Sequence, residues 1–229
     1  MPTITDEEFG VITVRKSARA TQVRLRVAPD GTLRASMPLY APLFLLKRLV
    51  KASRVQLRKM LEQAQPIVEY KDGQQIGKSH TLIVRGGLKT AVIRSKQHII
   101  ATLAHGDTLN NPEVIRKIRD VSIAALRLEA KSYLPKRLQY LADEYGFRYT
   151  KVRFSHASSR WGSCSSAGTI SLNIALMKLP FELIDYVLIH ELAHTVEMNH
   201  SQAFWSLVEK GIPEYRQLRR QLKSEAPSI

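Results

Sequence analysis

Residues 190–200 read HELAHTVEMNH. His190 and His194 are four apart, Glu191 follows the first, and His200 comes six after the second. Side chains four apart on a helix stand one turn above each other, so the two imidazoles share a face. Imidazole nitrogens bind Zn²⁺ at about 2.0–2.1 Å, so a single turn can bring two of them to one ion. Glu191 is rotated by roughly 100° from His190. That offset takes it out of the ligand pair and turns it toward a water beside the metal, which is where a general base works.

A catalytic zinc keeps three protein ligands and one open position. Glu197 continues the face of the histidine pair. Seven residues at ~1.5 Å rise would carry it about 10 Å along a straight helix from His190, too far for one ion. His200 is the stronger third ligand, because Asn199 tolerates a left-handed turn that ends the helix and folds the chain back. The spacing of ten from first to third histidine resembles that of the metzincins, which turn on a glycine where this chain has Glu197. The expected site is one Zn²⁺ per chain held by His190, His194 and His200, with Glu191 as the catalytic base. A buried helix with surface histidines is the plainer reading of the five-residue motif. The third histidine and the apolar Ile184, Val187, Leu188 and Ile189 count against it.

The elements that must position these residues are legible as patterns. Residues 180–198 read as the metal helix, opened by Pro180 or Phe181. The stretch 149–176 reads as a strand-like pair around a turn, with 169–173 as the strand before the metal helix; such a strand can border a cleft and accept a peptide along its edge. Residues 112–146 read as a helix with an apolar stripe through Ile115, Ile118 and Leu126, bent or broken near Pro135 and ended at Gly146. The tail reads as two short helices, the first capped by Ser201. From about 10 to 105 the pattern is mainly short strands: Val23, Leu25 and Val27 alternate, Asp30-Gly31 signals a tight turn, and Gly86-Gly87 punctuates a second strand group. Among these strands lies a helix over 42–64, with Leu46, Val50, Leu57 and Leu61 on one face. The expected class is α+β. A strand-rich region (1–108, with helix 42–64) precedes a metal-hydrolase domain (109–229) whose active-site helix lies next to a small sheet.

Four stretches, RWGSC at 160–164, ISLN at 170–173, HELAH at 190–194 and NHSQAFW at 199–205, together resemble the YgjP-like metal-dependent hydrolases. The resemblance is densest over about 112–225 and extends to RLRVAPDGTLRASMP near the N-terminus. It implies a zincin-like, metallopeptidase-type core with His190, His194 and His200 as ligands and Glu191 as base. It also implies two substrate classes, since the family label is peptidase while some members are labelled nucleotide pyrophosphatases acting on UTP.

Other residues have plainer readings. Trp161 and Trp205 can line a cleft, but aromatics beside a helix are more often core. Cys164, the single cysteine, is more often a small buried hydrophobe than a fourth ligand. His80, His98, His105 and His156 lack ligand spacing. His156, Arg160 and Tyr215 are candidates to stabilise an oxyanion or bind phosphate.

The bulk properties set the surroundings. The chain has 229 residues, 44% apolar, with 35 Lys and Arg against 20 Asp and Glu, a formal net charge of +15. One cysteine excludes an internal disulfide and fits a reducing compartment. The acidic start MPTITDEEFG is not a signal peptide, and the longest apolar run, 41–46, cannot span a bilayer. The expectation is a soluble cytoplasmic protein without a membrane partner. The charge surplus fits an anionic partner. Lys47, Lys51, Arg54 and Arg58 form a cationic stripe with only Glu62 nearby to balance it, so non-specific nucleic acid is the expected partner of that face. The oligomeric state is not encoded in any pattern.

Two enzyme classes and one binding class follow. A zinc metallopeptidase acting on peptide or protein is the leading reading. A metal-dependent nucleotide pyrophosphohydrolase is the alternative, although three histidines offer little grip on the extra Mg²⁺ that nucleotides bring. A nucleic-acid-binding module with a structural metal is third, since structural zinc is normally closed by four protein ligands.

Overall fold

The computed structural model describes residues 2–28, 32–64, 69–227 and 229. The Asp30-Gly31 turn and the Glu62 side chain lie outside the described residues. The described residues form an α+β structure with three small sheets, six α-helices and a 3₁₀ segment. The contacts divide the chain into two compact units, Met1–Val68 and Glu69–Ile229.

The first unit holds β1 (Thr3–Asp6), β2 (Gly10–Ser17), β3 (Arg24–Val27) and β4 (Leu33–Pro38), in sheet order β1-β2-β4-β3. β2 and β4 are parallel, and the outer pairs are antiparallel. Period-two alternation sends Leu33, Ala35 and Met37 of β4 inward, onto Ile12 and Val14 of β2. The stretch 42–64, which reads as one helix in sequence, forms two: α1 (Leu43–Ala52) and α2 (Arg54–Ala64). The break is at Ser53, whose backbone at φ −105°, ψ 14° leaves the helical region and whose N–H is shared between the Leu49 and Val50 carbonyls. Leu46, Val50 and Leu57 still reach the core, with Leu61 partly buried against it.

The cationic stripe is also changed. Arg54 pairs with Asp6 at 3.4 Å and with Glu8 at 3.7 Å, and Arg58 pairs with Glu8. The N-terminal strand and the turn after it thus supply the balancing acids that a reading of the helix alone misses. Hydrogen bonds from the Glu8 and Phe9 backbone help hold the Asp6 carboxyl below its ordinary value, as the Arg58 guanidinium does for Glu8.

The second unit begins with a sheet ordered β5-β7-β6, made of β5 (Thr81–Gly86), β6 (Ala91–Ser95) and β7 (His98–Leu103). These strands pack on α3 (Pro112–Tyr145), so they belong to the same compact unit as the long helix, whereas the sequence pattern groups them with the N-terminal strands. α3 runs 34 residues without interruption through Pro135 and ends on Gly146 in the left-handed region at φ 74°. A proline there removes only one backbone donor. The turns on either side stay in place because their apolar residues, Leu134 and Leu138, are fully buried. The other elements are β8 (Lys151–Ser155), β9 (Gly162–Cys164) and β10 (Thr169–Asn173), a 3₁₀ turn (Ile174–Lys178), α4 (Phe181–Ala193), α5 (Gln202–Gly211) and α6 (Tyr215–Ser224). β10 is central, parallel to β8 and antiparallel to β9. α4 lies between α3, β9, α5 and α6. No helix among the described residues is long and apolar enough to cross a membrane.

A buried carboxylate ties the turn before β5 to the middle of α3. Glu129 accepts hydrogen bonds from the backbone of Lys78 (2.6 Å) and Ser79 (3.0 Å), from the Ser79 hydroxyl (2.9 Å) and from His80 Nδ1 (2.5 Å). Burial pushes its carboxyl up, but these donors outweigh burial and hold it below the usual range. Gly77 has to be glycine, since a Cβ there would strike the Glu129 carboxylate and sit 2.7 Å from Leu126 Cδ2.

Glu129→Ala would strand several buried donors, each costing about 1–3 kcal/mol. The expected result is a fall in Tm of roughly 10 °C, measured by thermal denaturation. A Tm equal to the parent's would remove Glu129 as the tie between the sheet and α3.

Candidate metal centre

The metal helix is held before it presents anything. Asp185 takes a two-point ion pair from Arg137 of α3, at 2.8 and 2.7 Å, which raises the guanidinium's pKa. Ile184, Val187, Leu188 and Ile189 are buried. Gly211, the last residue of α5, comes so close that a Cβ would lie 3.1 Å from Ile189 Cγ2.

α4 ends at Ala193, five residues earlier than the pattern suggests, with His194 as its cap. The backbone then tightens: Thr195 N–H bonds the Leu192 carbonyl and Val196 N–H bonds that of Ala193. This tightening begins the reversal of the chain. No left-handed residue is needed at Asn199, because Lys96 is the only non-glycine with positive φ among the described residues. Ser201 then starts α5, its hydroxyl accepting from Phe204 N–H at 3.3 Å.

The result brings His190, His194 and His200 together, with their ligand atoms within 4.8 Å of one another. Neither Glu197 nor Cys164 belongs to that group. The Cys164 thiol instead donates to the Ser165 carbonyl at 3.4 Å, and Glu197 contributes its backbone carbonyl, 3.1 Å from His194 Nδ1. A proton on His194 Nδ1 then bonds the carbonyl and leaves Nε2 for a metal. His190 and His200 point their Nε2 atoms at each other across 3.2 Å. Two imidazoles on one tetrahedral zinc stand ~3.3 Å apart at that ion's usual bond length. The donor set therefore fits a divalent ion of the zinc type.

Phe204 forms the floor. It is fully buried, and its ring centroid lies 4.9, 4.4 and 4.7 Å from those of His190, His194 and His200. The sequence pattern draws the eye to its neighbour Trp205 and passes over Phe204. The available signal is an apolar residue four after His200, next to the ring that stays half exposed. Burial, then the two neighbouring histidines and Arg219, pushes His190 down to about 3, and burial with His194 and Arg219 lowers His200. Both imidazoles are thus neutral at pH 7, the state a metal needs.

Glu191 is 5% exposed, and its Oε2 has no hydrogen-bond partner among the described residues. Burial alone pushes its carboxyl up to about 8. It lies against β9, where Gly162 supplies the room: a Cβ at 162 would sit 2.5 Å from Glu191 Oε1 and 2.7 Å from its Cγ. β9 is held in turn by Asn173 at the end of β10. That fully buried amide donates to the Ala157 (2.6 Å) and Arg160 (2.8 Å) carbonyls and accepts from Ala175 N–H (3.0 Å), while its own N–H bonds the Trp161 carbonyl (2.8 Å). Gly162 and Asn173 fall within the RWGSC and ISLN stretches, but neither carries a titratable group, so their roles are not readable from residue type.

His156 is not part of the ligand group, and Arg160 accepts a hydrogen bond from the Asn173 amide with its carbonyl. Tyr215 is buried and stacks on Trp205, at 5.2 Å and 14° between planes, one ring away from the site. His80 belongs to the Glu129 cluster.

The family model for the YgjP-like metallopeptidase domain matches residues 21–225. Among solved structures, the crystal structure of the metallopeptidase zymogen of Pyrococcus abyssi abylysin is 31% identical, over 39% of this chain and 91% of that one, with a TM-score of 0.37. No curated protein matches the chain.

The pKa of Glu191 gives a stability test on protein stripped of metal. The unfolded carboxyl loses its proton above its ordinary value of 4.5, while the folded one keeps it to about 8. Between those values the folded state binds more protons, so this group lowers stability as pH rises. His190 acts in the opposite sense only below its ordinary value of 6.5. Comparing Tm in chelator at pH 6.5 and 8, the parent is expected to lose more than Glu191→Gln. Equal losses would show that the folded carboxyl is already ionised at the lower pH.

Proposed function

This chain belongs to the YgjP-like family of metallopeptidase domains, and from that premise we propose that it is a zinc peptidase in which Glu191 is the base. Metal-dependent hydrolysis is the activity the family carries. The finer reading rests on one observation: three imidazoles converge next in sequence to a buried carboxylate whose Oε2 has no hydrogen-bond partner among the described residues.

His190, His194 and His200 would hold the ion. Bound there, a divalent metal polarises the scissile carbonyl and makes an adjacent water more acidic. Glu191 accepts the proton of the attacking water and returns it to the leaving amine. Its buried setting moves the carboxyl's pKa up toward the operating pH, where one group can both accept and release a proton. Gly162 keeps the carboxylate in place by leaving room for it, and Phe204 keeps the imidazoles on one side of the cleft. Peptide is favoured over nucleotide because, among the described residues, no second group of acids or histidines offers a site for another cation. Three close donors, with Cys164 and Glu197 outside the group, also favour an open coordination position over a closed structural site.

Three variants test the assignment together. His200→Ala is expected to lose most of the zinc found by elemental analysis, which should be near one equivalent in the parent. Glu191→Gln is expected to keep zinc and fold while peptide hydrolysis falls about 10²–10⁴-fold, the usual cost of removing a general base. Full zinc in His200→Ala, or undiminished turnover in Glu191→Gln, would refute the corresponding role.

The third variant, Gly162→Ala, should keep zinc but displace the carboxylate. A misplacement of about 1 Å costs up to roughly 10² in rate. A rate within twofold of the parent would mean that β9 yields rather than Glu191.

A further inference from the structure

α6 does more than cover α4. Its Tyr215 stacks on Trp205 of α5, and each ring carries a guanidinium: Arg216 lies 5.1 Å from the Tyr215 centroid and Arg219 lies 4.5 Å from that of Trp205. The two arginines differ in their partners. Arg216 pairs with Glu209 at 3.4 Å. Arg219 is exposed, and among the described residues no carboxylate pairs with it. The same Trp205 ring lies 5.6 Å from that of His200 and 6.0 Å from that of His190. The Trp205 indole therefore borders both a guanidinium without a carboxylate partner among the described residues and two of the three histidines.

A cation there works against the fold's other purpose. Like charge disfavours both protonated imidazole and a bound metal ion. A neutral side chain would cover Trp205 equally well. An uncompensated guanidinium beside a cationic centre suits a ligand whose negative charge falls next to the reacting bond. Guanidinium and carboxylate match in a planar, two-point hydrogen-bonded pair. An extended peptide advances at most about 3.3–3.6 Å per residue, so a carboxylate one or two residues from the scissile carbonyl can reach past an indole.

We propose that Arg219, held over Trp205, is the carboxylate-binding residue of the substrate site, so that the enzyme prefers peptides with a carboxylate within two residues of the cleaved bond. The proposal builds on the peptidase reading above. The carboxylate has two sources, the α-carboxylate of a chain end or the side chain of an Asp or Glu. Arg219 would engage either by the same pairing, and Trp205 is the positioning residue that aims it.

The test is binding of short alanine peptides to zinc-loaded Glu191→Gln protein by calorimetry, with hydrolysis of the same peptides by the unmodified protein followed in parallel. The peptides are a free acid, its C-terminal amide, and amides carrying one Asp or Glu. At least one carboxylate peptide is expected to bind about tenfold or more tighter than the neutral amide, the usual worth of a charged hydrogen bond. Arg219→Ala should bring that ratio close to one, Arg219→Lys should restore part of it, and Arg216→Ala should leave it in place. Tighter binding of the free acid assigns the chain end, and tighter binding of an acidic amide assigns the side chain. Equal binding of all peptides overturns the proposal. So does a preference that survives Arg219→Ala, or one lost equally in Arg216→Ala. Discrimination in binding without cleavage of any peptide overturns the peptidase reading and leaves Arg219 assigned.

Discussion

Glu191 is buried against the one place on β9 where the chain has no side chain, and much of the second unit serves that contact. A carboxylate in an apolar surround is costly unless it gives up its charge or finds a partner. Here burial raises its pKa to about 8, and Oε2 is left without a donor. The position persists because its neighbours are fixed for other reasons. Arg137 anchors Asp185 one and a half turns earlier on α4, the apolar residues of α4 are buried on several sides, and Asn173 fastens the loop that leads into β9. The approach is close enough that a methyl group at position 162 would overlap the carboxylate.

The histidines depend on a different device. α4 supplies two of them from one turn and then ends at once, because the backbone tightens after Ala193 instead of continuing. The same reversal lets Glu197 orient His194 through its carbonyl and lets Ser201 start a helix whose first turn carries Phe204 beneath all three rings. A dozen consecutive residues, His190 to Ser201, therefore contain the three converging imidazoles, the buried Glu191, one orienting carbonyl and the cap of the next helix. That density makes the site legible in the linear chain.

Legibility fails where a residue acts through shape or through distant partners. His190, His194, His200 and Glu191 declare themselves by type and spacing, and the Ser201 cap and the Gly146 stop follow local rules. Gly162 and Asn173 act by leaving space and by filling backbone hydrogen bonds; the RWGSC and ISLN stretches mark their place, but nothing in residue type reveals what they do. The helix over 42–64 looks continuous because its apolar face keeps period across Ser53, yet the backbone breaks there. Its cationic stripe looks unbalanced because Asp6 and Glu8 are about fifty residues away in sequence. Pro135 errs the other way: local chemistry predicts a break, and burial of the turns around it keeps α3 whole.

The two buried glutamates of the second unit show how the same side chain is put to opposite uses. Glu129 meets four donors, and its carboxyl is held below the ordinary range despite burial. It is a charged tie, and its hydrogen-bonding capacity is taken up by the turn before β5. Glu191 is equally excluded from water, but no donor reaches its Oε2 and its proton affinity rises. A structural carboxylate is stabilised by completing its partners, and a base has to be left incomplete so that substrate and water can complete it. The contrast lies in the surroundings, since both residues come from helices rich in buried apolar side chains. Gly77 and Gly162 make the same close approach to the two carboxylates. At Gly77 the strand-leading turn brings backbone N–H groups with it, whereas at Gly162 β9 brings only room. That difference in what the neighbouring backbone offers separates the carboxylate that holds the fold from the one that is free to react.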